Sequence, residues 1–562
     1  MADDVVYDVI IVGSGAAGGM AAYELCEAGL SVLMVEAGRD YDPQTETPMF
    51  HTPEAAPLRA AGTPDKEISY YNATVDGGWQ IPGEPYSTTT DSDPFKWWRP
   101  RMLGGRTNHW GRVALRYGPY DFKPYSRDQL GVDWPISYEE LAPSYDRVER
   151  LIGVTGTPHH LENAPDSPPG VLLPPPSPRA HEVFLSAAFR KFGMPVAAIH
   201  AAVLTRPFNG RAECVYATEC TRGCSSRSNF QSTTVLIPPA VATGKLTILC
   251  DAPVHRVDLD GTGKARGVSF LDRATGEEFE VRGRSVVLAA GAYSSIRILL
   301  NSKSGQFPNG IGNDYGQVGK YIMDSVEYTM RSQIPALEAV PPQNDDGIFT
   351  PHIYVPWWLC AEQKAGKLDF PRGYHIEPRG GRRMPTVFVG GYVDKTDPLY
   401  GDGLRAQIKR RYGSYLFLTG EGEMIPNEET YCELDPSAVD KWGIPTLRFR
   451  WKWSEHEIRQ QKHMFDTFNA IFSALGGAPT AGVPKMPAGG SAIHEVGGAR
   501  MGGDPAKSVI NADGRCWAVP NLYVFDGAAF ASSADKNPTL TILALASRGA
   551  RQMAEAARRG VL

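Results

Sequence analysis

A glycine-rich turn near the start of the chain has the residue types and spacing that dinucleotide binding requires. Residues 13–18 read GSGAAG, and Glu36 follows 18 residues after Gly18. Gly13 permits a tight turn, Gly15 lets the main chain approach a pyrophosphate, and Gly18 lets a helix lie close to a strand. Glu36 stands where an acid accepts ribose hydroxyls, which disfavours the 2′-phosphate of NADP. The predicted contacts are Gly13, Gly15, Ala16, Ala17, Gly18 and Glu36.

Three neighbouring cysteines form a second set of residues that could do chemistry. Five residues separate Cys214 from Cys220, and three separate Cys220 from Cys224. Iron–sulfur clusters usually take four thiolates, so three thiolates suit a cluster with three irons, a 3Fe-4S centre. A zinc site with His200 as a distant fourth ligand, and a disulfide beside a free thiol, are the alternatives.

A βαβ unit is predicted to hold the glycine turn. Residues 5–12 are β-branched and apolar, as in a buried parallel strand. A helix follows and ends at Gly29, and a second strand at residues 32–35 leads into Glu36. The N-terminus of that helix would offer main-chain amides and the positive end of its dipole to phosphates.

Two later segments predict that the dinucleotide is FAD rather than NAD. Residues 282–301 read as a strand, a turn of small residues and a helix. Residues 521–526 read as another strand, and a last helix begins near Thr539. A fold that brings back its C-terminus to complete a nucleotide site suits the long FAD molecule.

The composition excludes several kinds of function. The 562 residues are 42% hydrophobic and 21% charged, which is typical of a folded chain of about two domains. The formal net charge of −6 argues against a nucleic acid partner. No stretch approaches the roughly 20 apolar residues of a transmembrane segment. The acidic N-terminus has no basic region, so we expect no export signal in this chain.

Five motifs in this order resemble the glucose–methanol–choline (GMC) oxidoreductases over nearly the whole chain. They are GSGAAG, MLGGRTNHWGR at 102–112, AAGAYSSIRILL at 289–300, HEVGGARMG at 494–502 and DGAAFASSADKNPTLTILALASR at 526–548. The resemblance implies an α/β fold. A Rossmann-like FAD-binding domain is built from discontinuous segments, and a substrate domain has a mixed or antiparallel sheet covered by helices. We expect these at 1–330 and 331–489, with the cysteine segment inserted at about 155–230 and a return to the FAD domain at 490–562.

The resemblance implies further contacts to FAD. In that family the turn that carries Gly104 and Asn108 lies along the flavin, and Asp526 lies at the pyrophosphate. Thr539 is also predicted to cap the last helix. His109 either forms a covalent bond to the flavin or packs against it, and we favour packing. These further contacts are Gly104, Gly105, Asn108, His109, Val254, Ala290, Asp526, Gly527, Pro538 and Thr539.

The resemblance also assigns the chemistry to two residues. Oxidation of an alcohol needs a base for the hydroxyl proton and an acceptor for the hydride, which is N5 of the flavin. His494 matches the catalytic histidine of the family, and a neutral imidazole suits a base near pH 7. Asn537 matches the partner position, where an amide can orient the substrate oxygen but cannot take its proton.

The cysteine spacing is similar to that of the iron–sulfur branch of this family, the membrane-linked sugar dehydrogenases. There the chain works beside a small subunit with a twin-arginine export signal and a cytochrome. The resemblance therefore implies electron exit through a cluster and co-export to the periplasm. Ser225 and Ser226 depart from the residues that are usual in that branch. The alternatives are an oxidase that reduces oxygen, a flavin-binding scaffold without activity, and a cytoplasmic location.

The resemblance narrows the substrate to sugars and glycosides, with C3 of glucosides as the predicted site of oxidation. Tryptophan faces can stack on pyranose rings, and polar side chains can bind hydroxyls, although tryptophans more often lie in the core. The candidates for stacking and for polar contacts are Trp97, Trp98, Trp357, Trp358, Arg99, Tyr354 and His375.

Overall fold

A computed structural model of the chain describes residues 5–46, 77–216, 220, 224–340, 350–381 and 399–562. Residues 1–4, on which the expectation about export rests, lie outside these ranges. The helices are α1 Ala16–Glu27, α2 Pro43–Glu46, α3 Pro124–Asp128, α4 Tyr138–Ile152, α5 Ala180–Lys191, α6 Ser232–Val235, α7 Ile237–Ala242, α8 Ala292–Asn301, α9 Cys360–Lys364, α10 Gly401–Arg411, α11 Glu455–Ala474 and α12 Thr539–Arg558. The strands are β1 Val6–Val12, β2 Val32–Val35, β3 Gly77–Gly78, β4 Ser87–Thr88, β5 Arg99–Pro100, β6 Ala197–Ala198, β7 Leu246–Leu249, β8 Val254–Leu259, β9 Ala265–Leu271, β10 Glu278–Leu288, β11 Val326–Gln333, β12 Ile353–Tyr354, β13 Tyr374–Gly380, β14 Tyr415–Gly422, β15 Tyr431–Val439, β16 Pro445–Arg450 and β17 Leu522–Val524.

The largest sheet carries the glycine turn. Its strands lie in the order β7-β2-β1-β10-β9-β8, and β17 also pairs with β10. The strands from β7 to β10 and β17 run parallel, whereas β9 and β8 are antiparallel. The predicted βαβ unit is confirmed as β1, α1 and β2, and the predicted return of the C-terminal segment is confirmed as β17.

Burial on both faces explains the apolar sequence of β1. Val9, Ile10 and Ile11 have no exposed surface; α1 packs against β1 and β2, and α12 packs against α1. Glu24 of α1 is buried and accepts hydrogen bonds from Arg147 Nε of α4 and Ser547 Oγ of α12, both at 2.6 Å. These bonds join three helices around one carboxylate.

A second sheet is antiparallel, in the order β11-β14-β13. It confirms the expected mixed or antiparallel sheet outside the nucleotide-binding fold. Helix α11 covers one of its faces, where Tyr328 stacks on Phe468 with ring centroids 6.1 Å apart. Across the other face, Glu327 pairs in register with Glu421, which pairs with His375. Residues in direct register share a face of a sheet, so this face is polar. The predicted domain boundary at residue 331 falls inside β11 and stays a prediction.

The prediction that Thr539 caps the last helix is wrong. Pro538 holds the cap position without a side-chain hydrogen bond, and Thr539 is the first residue of α12. Pro538 already has helical angles, φ −79 and ψ −12, and its carbonyl accepts the first helical bond, from Ile542 N at 2.9 Å. Proline needs no partner for an amide hydrogen at this end of a helix. None of the helices within the described ranges is long and apolar enough to cross a membrane.

Two glycines in the first turn touch each other. A Cβ on Gly18 would lie 2.0 Å from the carbonyl oxygen of Gly13, which itself has a φ of +99. Gly15 has an ordinary φ of −68, and a Cβ there would meet no atom within 4 Å. The approach at Gly18 therefore sets the distance between α1 and the turn after β1.

We expect Gly18→Ala to lower the free energy of unfolding by about 1–3 kcal/mol, because neither backbone segment can move away without disturbing the sheet. Gly15→Ala is the matched control and should keep the wild-type stability in cofactor-free protein. Thermal unfolding followed by circular dichroism checks both variants. Equal melting temperatures for the two would show that the Gly13–Gly18 contact does not limit stability.

Candidate active site

A cavity lies beside the glycine turn, where β1, β2 and β10 end. Helix α1 begins on its wall at Ala16, so the unpaired amides and positive dipole end of that helix are available to an anion. The cavity brings together most of the predicted residues: Gly13, Gly15, Ala16, Ala17, Glu36, Gly105, Val254, Ala290, His494, Asp526, Gly527, Pro538 and Thr539. The lining does not include five other predicted residues, Gly18, Gly104, Asn108, His109 and Asn537.

Hydrogen bonds from the glycine turn and from Gly38 hold Glu36 in place. Its carboxylate accepts hydrogen bonds from Ser14 Oγ at 2.5 Å, Ser14 N at 3.1 Å and Gly38 N at 2.8 Å. Burial raises the pKa of Glu36. Ser14 Oγ also accepts a bond from Gly104 N at 2.8 Å. Sequence reasoning missed Ser14, which joins the turn, the acid and the second glycine segment; its hydroxyl inside the turn was the available signal.

The second glycine segment lies close to the first. A Cβ on Gly105 would lie 3.5 Å from Gly15 Cα, and both glycines line the cavity. Asn108 does not reach the cavity. Its Nδ2 donates to Leu103 O at 2.8 Å, and its Oδ1 accepts from Gln231 Nε2 at 3.1 Å. Asn108 therefore holds the loop that presents Gly105.

His109 lies behind Trp98, which lines the cavity. The indole Nε1 of Trp98 donates to His109 Nε2 at 3.0 Å. Burial, with help from the charges of Arg112 and Arg106, lowers the pKa of His109 to about 3. This arrangement agrees with the packing role, and both that role and the covalent bond stay predictions.

Asp526 closes the far end of the cavity. It accepts hydrogen bonds from Gly291 N at 3.0 Å, Ser295 Oγ at 2.5 Å and Ala528 N at 2.9 Å. Burial raises its pKa to about 6. These bonds tie the end of β17 to the turn before α8, so the C-terminal segment completes the site.

The two predicted catalytic residues meet beside this cavity. Asn537 Nδ2 lies 3.4 Å from His494 Nε2, and Ser325 Oγ lies 2.8 Å from His494 Nδ1. The amide group donates, so Nε2 accepts with its lone pair and Nδ1 carries the proton toward Ser325. The main-chain N of His494 donates to Asp324 Oδ1 at 2.8 Å. Nε2 is therefore the basic atom of the ring.

Burial keeps His494 neutral. It lowers the pKa of His494 to about 4, with Arg106 and His375 acting in the same direction and Glu377 against them. Glu421 Oε2 lies 3.8 Å from His494 Nδ1 and has no hydrogen-bond partner among the described residues. Burial and neighbouring acids raise the pKa of Glu421 well above its usual range. A protonated Glu421 would add no charge to oppose that neutral ring.

Several of these neighbours were not foreseen from the sequence. Ser325 immediately precedes β11 and Glu421 lies in its neighbour β14, far from the motifs, so no local pattern could have identified them. Arg106 lies inside a quoted motif; it lines the cavity and pairs with Glu495. The signal available in the sequence was a charged residue inside that motif.

The three cysteines lie near one another. Cys214 and Cys220 both pack against Val203, and none of the three cysteines is joined in a disulfide within the described residues. Burial, with Cys220 and Cys224 nearby, raises the pKa of Cys214 to about 12. His200 lies against His159 with ring centroids 4.3 Å apart, and its Nε2 lies 2.9 Å from Thr157 O. The described residues contain no group of three His, Cys, Asp or Glu side chains that could hold a metal ion as they stand. Residues 217–219 and 221–223, between the cysteines, lie outside the described ranges.

Two buried arginines face this cysteine segment. Arg112 is fully buried and Arg211 is 7% exposed, and in each the Nε has no hydrogen-bond partner within the described ranges. Burial lowers the pKa of both, and nearby Cys224 opposes that effect in each. Arg112 also donates to Asn108 O at 3.0 Å, so it links the loop beside the cavity to the cysteines. The positive charges of these two arginines suit an anionic centre. The described thiols, as they lie, do not form a metal site.

The residues predicted to contact sugar fall into two places. Trp97, Trp98 and Arg99 line the first cavity, whereas Tyr354, Trp357 and His375 line a second cavity. Trp358 lines neither and packs against Trp357 and Tyr374. One predicted surface is thus divided into two.

Comparison with known proteins gives the family. Residues 7–324 and 426–546 match the two family models described as GMC oxidoreductase. The chain is 29% identical to 2-methyl-1,2-propanediol dehydrogenase of Mycolicibacterium austroafricanum, over 96% of this chain and 94% of that protein. It is 28% identical to paromamine 6'-oxidase of Streptomyces fradiae, over 98% and 92%. The fructose dehydrogenase large subunit of Gluconobacter japonicus is 26% identical, over 97% of each chain.

A solved structure shares the fold. Pyridoxine 4-oxidase from Mesorbium loti superposes with a TM-score of 0.62 at 18% identity, over 97% of this chain and 99% of that one. The cavity fits the FAD that the family implies, since its lining joins a helix N-terminus, a buried acid and glycines without side chains. A family match over the dinucleotide fold, and a second over the segment that carries His494 and Asn537, place this chain among the GMC oxidoreductases, enzymes that bind FAD.

Proposed function

We propose that this protein oxidises a secondary hydroxyl of a sugar or glycoside, with His494 as the base and Asn537 as the group that orients the substrate oxygen. The observation that carries the proposal is the pair formed by His494 Nε2 and Asn537 Nδ2, 3.4 Å apart beside the FAD cavity. FAD bound there supplies the hydride acceptor at N5 of its flavin.

The residues around His494 support its role. Asn537 Oδ1 is buried without a hydrogen-bond partner among the described residues, so it is available to a substrate hydroxyl. Ser325 holds Nδ1 of the ring and Asp324 holds the main-chain N of His494, so Nε2, beside Asn537, is the ring nitrogen that can take the proton. An imidazole that is neutral near pH 7 can accept a proton as soon as substrate is bound.

For the substrate we propose a glucoside oxidised at C3. The names of two relatives, fructose dehydrogenase large subunit and paromamine 6'-oxidase, refer to sugars or their derivatives. Trp97 and Arg99 on the wall of the cavity supply the apolar face and the polar partner that a pyranose requires. A scaffold without activity would not need the His494–Asn537 pair.

Replacement of the base gives the first functional test. We expect His494→Ala to keep its FAD but to slow flavin reduction by methyl glucoside about 10²–10⁴-fold, the usual contribution of one general base. Asn537→Ala should slow it by ~10²-fold through lost orientation. Anaerobic stopped-flow absorbance measures both rates. His160→Ala, at an exposed histidine, is the control and should react at the wild-type rate; a fast His494→Ala would place the base elsewhere.

The pH dependence of flavin reduction tests the environment of the same residue. The active form of His494 is neutral, so the rate should fall as pH decreases through its pKa. Because burial lowers that pKa to about 4, the rate should stay constant through the weakly acidic range and fall only near pH 4. A fall centred near 6.5, the ordinary value for histidine, would contradict the buried state of the ring.

We propose that electrons leave through an iron–sulfur cluster held by Cys214, Cys220 and Cys224, which would make the enzyme a dehydrogenase. Arg112 and Arg211 support this, because a buried cation without a counter-charge is costly and an anionic cluster would supply that charge. The alternative is an oxidase, as the name of paromamine 6'-oxidase allows.

Anaerobic purification should therefore yield about three iron atoms per chain, one for each thiolate, with an EPR signal in the oxidised form. Cys220→Ser should lose the iron and keep the flavin absorbance. Cys516→Ser, at a buried cysteine in another region, is the control and should keep both. Iron-free wild-type protein that consumes oxygen with sugars would identify an oxidase instead.

The same branch supports a proposal for partners and location. One relative is named as the large subunit of its enzyme. We propose a small partner subunit that carries the export signal, a cytochrome that accepts the electrons, and a periplasmic location. Co-purification of a small subunit from cells that express both genes would support this assembly.

A further inference from the structure

The second cavity is not used by the mechanism above. Its volume is about 510 Å³, within the roughly 300–1,000 Å³ that is usual for small-molecule sites. The rim is formed by exposed residues, among them Lys123, Glu162 and Lys364, and the floor by the buried His375, Glu423 and Lys536. The cavity is therefore open to solvent at one end and reaches into the protein at the other.

Apart from Lys123 on the rim, whose Nζ lies 3.4 Å from Trp134 O, each charged side chain that lines this cavity has an oppositely charged partner among the described residues. Lys536 Nζ lies 2.9 Å from Asp121 Oδ2 and 2.5 Å from Asp535 Oδ1. Arg127 lies 3.2 Å from Glu423, and Lys364 pairs with Glu162. A charged ligand would have to break these pairs, and an apolar ligand would bury them, so both are disfavoured.

Groups suited to hydroxyls remain available. Trp357 lines the cavity and its Nε1 donates to Gln363 Oε1 at 3.2 Å. Gln363 Nε2 is buried and has no hydrogen-bond partner among the described residues. An aromatic face beside a free amide, between fixed polar groups, is a combination that binds rings carrying hydroxyl groups.

The floor of the cavity adjoins the catalytic pair. Asp535 and Lys536 line the second cavity, and Asn537, the next residue, lies beside His494. His375 Nδ1 also bonds to Asp535 O, and His375 Nε2 lies 3.3 Å from Glu377. One short segment thus forms a wall between the two sites.

We propose that this second cavity binds a neutral saccharide ring that is not itself oxidised. The inference rests on the proposed function in that the sugar is either the remote ring of a glycoside substrate or a separate sugar molecule. Both sources offer the same chemistry, a polyhydroxylated ring without charge. In the first case the cavity selects longer glycosides, and in the second it couples sugar binding to the position of Asn537.

The test combines a variant that fills the cavity with one that removes its free amide. Ala164 lines the cavity, so Ala164→Trp should fill it; Ala361→Trp on α9, at an exposed residue outside the lining, is the matched control. Gln363→Ala should weaken binding roughly two- to tenfold, as expected for one hydrogen bond, whereas its neighbour variant Glu362→Ala should not. The latter pair decides the question if Ala164→Trp does not fold.

Two probes separate the sources of the sugar. If the cavity holds the remote ring of a substrate, Ala164→Trp and Gln363→Ala raise the KM for flavin reduction by cellobiose and leave that for methyl glucoside unchanged. If it holds a separate sugar, equilibrium dialysis finds two methyl glucosides bound per chain of His494→Ala. The double variant that also carries Ala164→Trp then binds one. Unchanged KM values together with a single site in both proteins would overturn the proposal. Failure of the proposed function differs, since neither sugar would then reduce the wild-type flavin.

Discussion

The close approach of Gly13 and Gly18 is the constraint on which the cofactor cavity depends. With no side chain at Gly18, α1 can begin directly after β1, and its free amides reach the cavity wall. The same turn places Ser14 between Glu36 and Gly104. The loop at Gly105 then lies close to Gly15, and the absence of side chains on both leaves the wall of the cavity open to an extended cofactor.

Burial of ionisable groups is the second constraint, and it acts on the chemistry. Burial lowers the pKa of His494 to about 4, although its side chain is 19% exposed, and burial raises the pKa of Asp324 to about 7. An environment of this kind favours a base that is neutral before the substrate binds. Arg106, paired with Glu495 on the cavity wall, provides charge close to the reacting region without pairing with the base itself.

The second cavity and the cysteine segment differ in whether their charged side chains have partners of opposite charge. At the second cavity the lining cations Arg127, Lys364 and Lys536 each have an acid beside them, which suits an uncharged ligand. Around the cysteines, Arg112 and Arg211 lack such partners within the described ranges, which suits an anionic centre. The same physical rule, that buried charge requires compensation, thus leads to opposite expectations for two sites in one chain.

Features set by neighbouring residues could be predicted from the sequence. The βαβ unit and its glycine turn follow from local chain geometry, because strand, turn and helix are contiguous. The motifs identified His494 and Asn537, and the structure brings these two side chains together. A local rule also failed, since Thr539 had the residue type of a cap but the backbone of Pro538 already continued the helix.

The tertiary structure decided which distant residues surround those motifs. Ser325 and Glu421 reach His494 through the pairing of β11 and β14, a register that no short stretch of sequence encodes. The candidates for sugar binding divided between two cavities because the segment at Asp535 and Lys536 lies between them. The nucleotide turn and the proposed catalytic pair were identifiable from the sequence, since each is carried by residues in contiguous motifs. The pKa of the proposed base, the partners of the buried charges and the second cavity depend on packing, because burial requires contacts between segments hundreds of residues apart.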